Sequence, residues 1–342
     1  MLEPADTPLP TGIGVVIIGR NERPHLSRAL DSIPACAAMT VYADGDSSDD
    51  SAEWVEQAYP TVKVVRVDTS CPPSPSRGRN TGYAVLTREL ASLRHVQFLD
   101  GDCQLCPSWL PAASAYLDAN EDVGVVGGRL RERERERNIY HRLADMEWDA
   151  PPGDVDSMGG IMMVRAAAWA QVGGQHPGMI AAEEKEFCQR ILLAGHRVVR
   201  LPNDMALHNI DMTTFGQWWT RSLRMGHACA HGLWVHRDRA HTRRLVSLLT
   251  YALVVPGVAL GGATQTSGLA LLLFAVYIRL WSKLVRSRRK IGDPPADARL
   301  YATANILNKL PGALGVGWFV GRLLLHRRAG PRTPPSARSD TA

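Results

Sequence analysis

The stretch that decides the fold is Val96-Gln97-Phe98-Leu99-Asp100-Gly101-Asp102, an apolar run that ends in two carboxylates one residue apart. A run of this length is typical of a short buried strand. A strand that ends in Asp-x-Asp presents hard oxygen ligands, and Mg²⁺-type ions usually share one or two carboxylates with substrate phosphates. The stretch therefore predicts a site for a metal-bound diphosphate, although acidic residues at strand ends are also common as solvated turn residues.

Three earlier apolar runs end in the same way. Residues 14–18 lead into Gly-Arg-Asn-Glu, residues 40–43 lead into Asp-Gly-Asp-Ser-Ser-Asp, and residues 62–67 end at Asp68. Helix-like stretches lie between them, so the pattern predicts repeated β-α units and a mainly parallel sheet. Ligands bind at the carboxyl ends of strands in open parallel sheets, and we expect these polar clusters to meet there.

Length and cysteine content set the broad class. With 342 residues, the chain is long enough for one domain of about 200 to 250 residues and an appendage. Its six cysteines are scattered. The Cys103/Cys106 pair has no second pair at zinc-ribbon spacing, which argues against a zinc site. The scattered cysteines do not form a disulfide framework, and they favour a reduced, cytosol-facing compartment.

The positive charge is concentrated around an apolar region. Arginines at 237, 239, 243 and 244 precede it, and basic residues between 283 and 290 follow it. Residues 245–264 are about long enough for one membrane span, and residues 268–285 for a second if Arg279 snorkels. Basic clusters at both outer ends place both ends in the cytoplasm. A buried helical hairpin and a re-entrant hairpin remain alternatives.

The sequence gives no indication of nucleic-acid binding, and one conspicuous charge pattern is typical of a solvated segment. Residues 131–137 alternate Arg and Glu, which favours a solvated helix or loop with local ion pairs. Neither aromatic-basic interleaving on a strand nor a helix-turn-helix pattern occurs, so we do not expect nucleic acid as a partner.

The ordered motifs resemble glycosyltransferase family 2, which has the GT-A fold. The resemblance covers roughly residues 13–230 and rests on a set of short segments. These segments are Val15-Val16-Ile17-Ile18-Gly19-Arg20-Asn21-Glu22, Asp44-Gly45-Asp46-Ser47-Ser48-Asp49, Arg77-Gly78-Arg79-Asn80-Thr81-Gly82, Asp100-Gly101-Asp102, Glu183-Glu184-Lys185-Glu186-Phe187-Cys188-Gln189-Arg190 and Gln217-Trp218-Trp219-Thr220-Arg221.

The resemblance implies an α/β GT-A fold, Rossmann-like with flanking helices, followed by a membrane-associated helical region. We expect four segments: a flexible N-terminus (1–12), a GT-A catalytic domain (13–236), a membrane-associated region (237–327) containing the hairpin 245–285, and a disordered tail (328–342).

The resemblance also implies roles on the donor side. Strand-end carboxylates accept hydrogen bonds from ribose hydroxyls and base N–H groups, and guanidinium groups bind diphosphates. The implied donor contacts are Asn21, Glu22, Asp44, Asp46, Arg77, Arg79 and Asp100. Asp102 would bind Mg²⁺ or Mn²⁺, with Asp100 holding the ribose, a metal-bound water or the metal itself, and His208 completing the metal shell.

The implied catalytic base is Glu184, which stands where the family usually has Asp. Because glutamate is one methylene longer, either the acceptor sits differently or the base is Glu183. Both carboxyls begin a helix predicted over residues 181–194, where the helix dipole favours the ionised form. The implied acceptor side comprises Gly159, Gly160, Gln217, Trp218, Trp219 and Arg221.

The resulting interpretation is a metal-dependent, inverting glycosyltransferase on the cytoplasmic side of the cytoplasmic membrane. It would move a sugar from a nucleoside diphosphate sugar to a hydroxyl of a glycan or lipid-linked acceptor, in polysaccharide, glycolipid or cell-envelope glycan synthesis. A nucleotidyltransferase would share the sheet and the acidic site, but it would typically have a glycine-rich phosphate loop after the first strand. A decayed, membrane-anchored nucleotide-binding scaffold is the non-enzymatic alternative.

Overall fold

A computed structural model describes residues 12–178, 183–236 and 239–328 of the chain. These residues form two compact units, divided between Met212 and Thr213. Apart from Gly12 and Arg328, the predicted flexible N-terminus and disordered tail lie outside the described residues.

The first unit alternates strands with helices along most of its length. Its elements are β1 (Ile13–Gly19), α1 (Arg23–Asp31), β2 (Ala37–Asp44), α2 (Ser51–Ala58), β3 (Lys63–Arg66), α3 (Pro75–Glu89), β4 (His95–Asp100), β5 (Cys103–Leu105), α4 (Trp109–Ala119), β6 (Val123–Glu132), a 3₁₀ turn (Arg135–Arg137), α5 (Ile139–Trp148), β7 (Gly153–Asp154), β8 (Met162–Arg165), α6 (Ala166–Val172), α7 (Glu183–Leu193) and β9 (Arg197–His208).

All of these strands belong to one sheet. Its order is β3-β2-β1-β4-β8-β6-β9-β5, and β7 pairs with β9 outside this path. The strands β3, β2, β1 and β4 are parallel, as the β-α pattern predicts. The rest of the sheet is mixed, because β8 runs antiparallel to both β4 and β6, whereas β6 and β9 are parallel. The α/β class is confirmed, with more antiparallel pairing than the sequence predicts.

The core lies on both faces of this sheet. Along β1, Val15 and Ile17 pack into one hydrophobic cluster, and Val16 and Ile18 pack into the cluster on the opposite face. Successive side chains of a strand point to opposite faces, so a continuous apolar run is what a doubly covered strand requires. This burial explains why the apolar runs at the start of the chain predict their strands correctly.

Helix α3 packs unusually close to β1. Ser74 caps its first turn by accepting a hydrogen bond from the Arg77 amide. A Cβ atom at Gly82 would lie 2.3 Å from a methyl carbon of Val16, so a larger residue would force the helix away from the sheet. This close contact places the first turn of α3 beside the carboxyl end of β1.

The second unit is helical. Its elements are α8 (Phe215–His236), α9 (Arg239–Leu249), a π-helical turn (Thr250–Val254), α10 (Val255–Gly262), a 3₁₀ turn (Leu269–Phe274), α11 (Ala275–Lys290), α12 (Pro295–Leu307) and α13 (Lys309–Arg328). Glycines let α8 and α13 approach, since a Cβ at Gly226 would lie 2.0 Å from the Gly312 carbonyl oxygen. The sequence assigns α8 to the catalytic domain, whereas the structure groups it with these later helices.

In the part of the chain that the structure describes, one helical run is long and apolar enough to cross a membrane, Thr242–Gly262. It overlaps the first predicted span. The second predicted span, residues 268–285, consists of the 3₁₀ turn Leu269–Phe274 and the first part of α11, after a turn with positive φ angles at Ser267 and Gly268.

Candidate functional site

A cleft lies at the carboxyl ends of β1, β2 and β4 and encloses about 350 Å³. Its walls come from the loops after these strands, from the first turn of α3 and from α7. Five residues that the sequence singles out line it together: Glu22, Arg79, Asp100, Asp102 and Glu184. The strand-end clusters therefore meet in one place.

Several predicted donor contacts shape the loop that follows β2. The buried carboxylate of Asp44 accepts hydrogen bonds from the Tyr42 hydroxyl at 3.0 Å and from the Ser47 amide at 3.0 Å. The Asn21 side chain accepts a hydrogen bond from the Ser48 amide at 2.8 Å. Asn21 and Asp46 both have positive φ angles, which Asn and Asp tolerate better than most residues. Gly45 lines the cleft, whereas Asn21, Asp44 and Asp46 are not among its lining residues.

The two predicted diphosphate arginines differ in their surroundings. Arg77 binds the segment after β3, because its Nη2 donates to the Asp68 carbonyl oxygen at 2.9 Å and lies 3.3 Å from the Asp68 carboxylate. Arg79 points the other way, into the cleft wall. Only 2% of its side chain is exposed.

Arg79 joins the two ends of the candidate site. Its guanidinium donates to Asp100 Oδ1 at 3.0 Å, to Gln175 Oε1 at 3.3 Å and to Glu184 Oε1 at 3.4 Å. Glu183 Oε1 lies 3.8 Å away. Burial lowers the pKa of Arg79, but the surrounding carboxylates outweigh burial and hold that pKa above its usual value. The cation is thus fixed among acids, and only a small residue fits at Gly160, where a Cβ would lie 2.0 Å from Arg79 Nη2.

The two candidate bases are in different environments. Glu184 lines the cleft with 22% of its side chain exposed. Glu183 is buried, and burial together with the charge of Glu184 raises the pKa of Glu183 to about 7. Residues 181–182 of the predicted helix lie outside the described residues, and α7 begins at Glu183.

Acidic groups crowd the other end of the cleft. Burial raises the pKa of Glu22 to about 7, and the carboxylates of Asp102 and Asp100 add to this effect. Burial also raises the pKa of Asp102, while His208 opposes the rise. Such a group of carboxylates is electrostatically unfavourable by itself and would be stabilised by a cation.

Asp102 and His208 form the candidate metal centre. Strands β5 and β9 pair so that Cys103 stands opposite His208, and the ligand atoms of Asp102, Cys103 and His208 all lie within 4.8 Å of one another. His208 Nε2 is 3.3 Å from Asp102 Oδ2. Burial and the neighbouring acids raise the pKa of Cys103 well above its usual value, so its thiol stays protonated and donates to Asp102 Oδ1 at 3.2 Å.

The ligand atoms of the candidate metal centre suit a divalent cation. A carboxylate oxygen is available at Asp102 and an imidazole nitrogen at His208. Asp100, also predicted as a ligand, is not part of this cluster and instead accepts the hydrogen bond from Arg79.

The predicted acceptor residues fall into two groups. Gly160 lies against Arg79 and Glu184, and Gly159 has open space around its Cα. Gln217, Trp218, Trp219 and Arg221 lie on α8 in the second unit. There the Gln217 side chain accepts hydrogen bonds from the amides of Thr213 and Thr214 at the start of that helix.

Sequence reasoning missed two residues next to the site. Gln175 holds Arg79, and Glu132 lies buried behind His208 with Oε2 3.9 Å from His208 Nδ1. The Arg/Glu alternation favours a solvated segment at residues 131–137, but Glu132 is the last residue of β6 and is buried. Because Glu132 follows Arg129-Leu130-Arg131, the local sequence carries no signal of its burial.

Comparisons with known proteins show the family of the chain. The model of a family described as "Glycosyltransferase like family 2" matches residues 10–227. The pre-mycofactocin glycosyltransferase of Mycobacterium tuberculosis (strain CDC 1551 / Oshkosh) is 25% identical in an alignment of 273 residues that covers 75% of this chain and 56% of that protein. The chain thus spans about half the length of the curated relatives it matches.

The fold is shared with a solved mannosyltransferase structure. The mannosyltransferase PcManGT from Pyrobaculum calidifontis, in complex with GDP-Man and Mn²⁺, superposes with a TM-score of 0.57 at 15% identity, over 89% of this chain and 87% of that chain. Residues 1–349 of S. aureus TarS, in complex with UDP-GlcNAc, give a TM-score of 0.48 at 15% identity, over 86% and 90% of the two chains. The likeness to PcManGT shows the fold.

Proposed function

Because the chain belongs to the glycosyltransferase like family 2, whose model matches residues 10–227, we propose that it is a metal-dependent, inverting glycosyltransferase. The reaction moves a sugar from a nucleoside diphosphate sugar to a hydroxyl acceptor. The observation that carries this proposal is the convergence of Asp102, Arg79 and Glu184 in one cleft at the strand ends. One end of that cleft is suited to a cation and the other holds a candidate base.

The donor nucleotide occupies the side of the cleft formed after β1 and β2. Asn21, Glu22, Asp44 and Asp46 belong to the loops on this side, and Asp44 is held by Tyr42 and Ser47. Asp102 and His208 would hold Mn²⁺ or Mg²⁺, and the carboxylate of Asp100 lies close enough to Asp102 to raise its pKa. When bound, the cation neutralises the charge that develops on the departing diphosphate. The complex of PcManGT with GDP-Man and Mn²⁺ supports this assignment.

Glu184 acts as the general base. Its carboxylate takes the proton of the acceptor hydroxyl while the acceptor oxygen attacks the anomeric carbon and the bond from that carbon to the diphosphate oxygen breaks. A single displacement of this kind inverts the configuration at the anomeric carbon. Exposure of Glu184 in the cleft favours it over the buried Glu183.

Arg79 positions this base. The sequence assigns it to the diphosphate, but its guanidinium is enclosed by Asp100, Gln175 and Glu184. A buried guanidinium with carboxylates on two sides fixes their separation, and base catalysis depends on such positioning. Arg77, which binds Asp68, stays a candidate for binding the diphosphate.

The acceptor is a glycan or a lipid-linked saccharide at a membrane. Gly159 and Gly160 are candidates for the acceptor side in the first unit, where Gly160 lies against Arg79 and Glu184. The Gln-Trp-Trp segment of α8 is a separate candidate for acceptor binding in the second unit. The apolar helix Thr242–Gly262 supports attachment to the cytoplasmic membrane, with the catalytic unit on the cytoplasmic side. Polysaccharide, glycolipid or cell-envelope glycan synthesis is the corresponding setting.

The decisive experiment combines donor binding with sugar transfer. The purified full-length chain is heated with a panel of nucleoside diphosphate sugars, with and without Mn²⁺, and we expect one of them to raise the unfolding temperature only when Mn²⁺ is present. At a ligand concentration 100 times the Kd, the stabilisation is about 2.7 kcal/mol. The Asp102→Asn variant should lose this effect while folding normally.

The same donor, carrying a radiolabelled sugar, is then offered to membrane extracts as the source of acceptor. Labelled product that disappears with a chelator supports the proposal. Binding without transfer under all conditions would favour the decayed scaffold, and consumption of a nucleoside triphosphate with a sugar phosphate would favour a nucleotidyltransferase.

A further inference from the structure

Glu132 is a buried acid that the proposed reaction does not use. It ends β6, and the exposed fraction of its side chain is 0%. Strands β6 and β9 run parallel in a register that pairs Glu132 with His208. An ionised carboxylate at such a position is unfavourable unless several donors surround it, so its retention requires an explanation.

Both oxygens of Glu132 are occupied by donors from separate segments. Oε1 accepts from the Glu134 amide at 3.2 Å and lies 3.0 Å from His141 Nδ1. Because a carboxylate can only accept, His141 must carry its proton on that nitrogen. Oε2 accepts from the Ile210 amide at 3.1 Å. These contacts hold the carboxylate in place independently of His208.

The carboxylate of Glu132 also lies close to the candidate metal centre. Oε2 lies 3.9 Å from His208 Nδ1, which is within ion-pair range and longer than a hydrogen bond. Nδ1 is buried and has no hydrogen-bond partner among the described residues. The other ring nitrogen, Nε2, lies 3.3 Å from Asp102. The imidazole is therefore placed between two carboxylates, one fixed in the interior and one at the cleft.

We infer that Glu132 is a positioning residue for His208. A fixed negative charge beside Nδ1 selects the tautomer that carries its proton there, which leaves the lone pair of Nε2 free to bind a divalent cation together with Asp102. Metal-binding histidines commonly present their second ring nitrogen to a carboxylate in this way. The inference rests on the metal site of the proposed function.

The first test measures metal affinity without any substrate. The purified full-length chain is titrated with Mn²⁺, and free Mn²⁺ is followed by electron paramagnetic resonance. Glu132→Gln should weaken Mn²⁺ binding by about 10- to 100-fold. Starting from the His208→Ala variant, the same change should have no further effect, since its influence passes through the imidazole. An equal loss of affinity in both backgrounds would overturn the inference.

A matched control separates positioning from general disturbance of the network. His141→Gln removes another partner of the same carboxylate but leaves Glu132 beside His208. We expect its Mn²⁺ affinity to stay close to that of the wild type. If His141→Gln weakens binding as much as Glu132→Gln does, the effect is a general loss of structure and the inference fails.

The second test needs no variant at position 132, so it stands even if Glu132→Gln does not fold. Nitrogen-15 NMR of the histidine rings reports which nitrogen carries the proton, and the His208→Gln spectrum assigns the His208 signals. We expect the proton on Nδ1, both alone and with diamagnetic Mg²⁺. A proton on Nε2 in both states would overturn the inference.

The outcomes also separate this inference from the proposed function. Absence of Mn²⁺ binding by the wild type would remove both. Binding that depends on Asp102 and His208 but not on Glu132 would remove the inference alone and leave the metal-dependent reaction in place.

Discussion

Arg79 and Glu184 lie 105 positions apart in the chain, yet Arg79 Nη1 donates to Glu184 Oε1 across 3.4 Å. The same guanidinium binds Asp100 at the end of β4. One buried cation thus links the donor end of the cleft to the candidate base. Its position makes it a sensitive point for both stability and turnover.

Replacing Arg79 should therefore affect both properties. Arg79→Lys keeps the charge but loses the planar fork, so we expect turnover to fall by about 10²-fold because the base is misplaced. Arg79→Ala leaves the carboxylates of Asp100, Glu183 and Glu184 without their buried cationic partner and should reduce the free energy of unfolding by about 3 to 5 kcal/mol. Steady-state kinetics and denaturant unfolding measure the two effects.

Arg77→Lys is the matched control for stability, because Arg77 lies on the same helix but binds the exposed carboxylate of Asp68. We expect a stability change below about 1 kcal/mol. Wild-type turnover in Arg79→Lys would show that the guanidinium does not position the base.

Glu184→Gln tests the base itself. The amide keeps the size of the side chain but cannot accept the acceptor proton, so turnover should fall by about 10²- to 10⁴-fold with little change in donor affinity. Glu183→Gln should be much milder, because Glu183 is buried beside the cleft and does not line it. Initial rates at saturating donor and acceptor, with donor binding measured separately, provide the comparison.

Glu184→Asp asks whether the site is built for the longer side chain. This change restores the residue typical of the family but shortens the side chain by one methylene. We expect the rate of sugar transfer to fall by more than any change in stability would explain. Near wild-type turnover in Glu184→Gln would instead show that another group takes the proton.

The stability of the first unit should depend on pH through His95. His95 is buried against Ser114, and burial lowers the pKa of its imidazole to about 4. Between pH 6.5 and 4 the unfolded chain binds a proton that the folded chain does not, so stability present above about pH 6.5 is lost as the pH falls to about 4. The loss is about 3 kcal/mol.

The measurement is urea unfolding at several pH values for the wild type and His95→Gln. The difference between the two proteins isolates His95 from the carboxyl groups of the cleft, which titrate in the same range. Parallel pH profiles would contradict the assignment of a neutral, buried imidazole.

Membrane attachment should depend on the apolar helix of the second unit. Val258 and Leu260 are exposed on this run, at 55% and 62%. Replacing both with Arg should release the protein from lipid vesicles in a flotation assay, because charge within a span opposes insertion. Leu193→Arg is the control, since Leu193 is an exposed apolar residue of the first unit and should not affect flotation. Retention of the double variant would exclude this helix as the anchor.

The parallel part of the sheet was predictable from the sequence because β1, β2 and β4 are apolar runs covered on both faces, each followed by a polar cluster. The antiparallel strands were not. β5 and β8 are short, with three and four residues, and their direction is set by pairing with β9, β4 and β6 rather than by their own sequence.

The site was predictable wherever a residue followed a strand or began a helix. Asp102 follows a strand, and the role of Glu184 at a helix start is implied by the resemblance to the family; the structure brings both residues into one cleft. The surroundings of Arg79 were not predictable, because they depend on Asp100, Gln175 and Glu184 coming together from distant segments. Glu132 was missed because a local charge pattern indicates solvation, whereas its burial is a tertiary property.

Strand β9 has a consequence for how the candidate metal centre is assembled. It pairs with β5, β6 and β7, and its last residue is His208. Asp102 and Cys103 thus precede their partner by about a hundred residues, and contacts of such long sequence separation form slowly because closing the intervening chain reduces its entropy. During synthesis, the side of the cleft formed after β1 and β2 can take shape before this last strand leaves the ribosome. The proposed metal affinity would then appear only after β9 has joined the sheet, so uptake of the cation would mark the end of folding in the first unit.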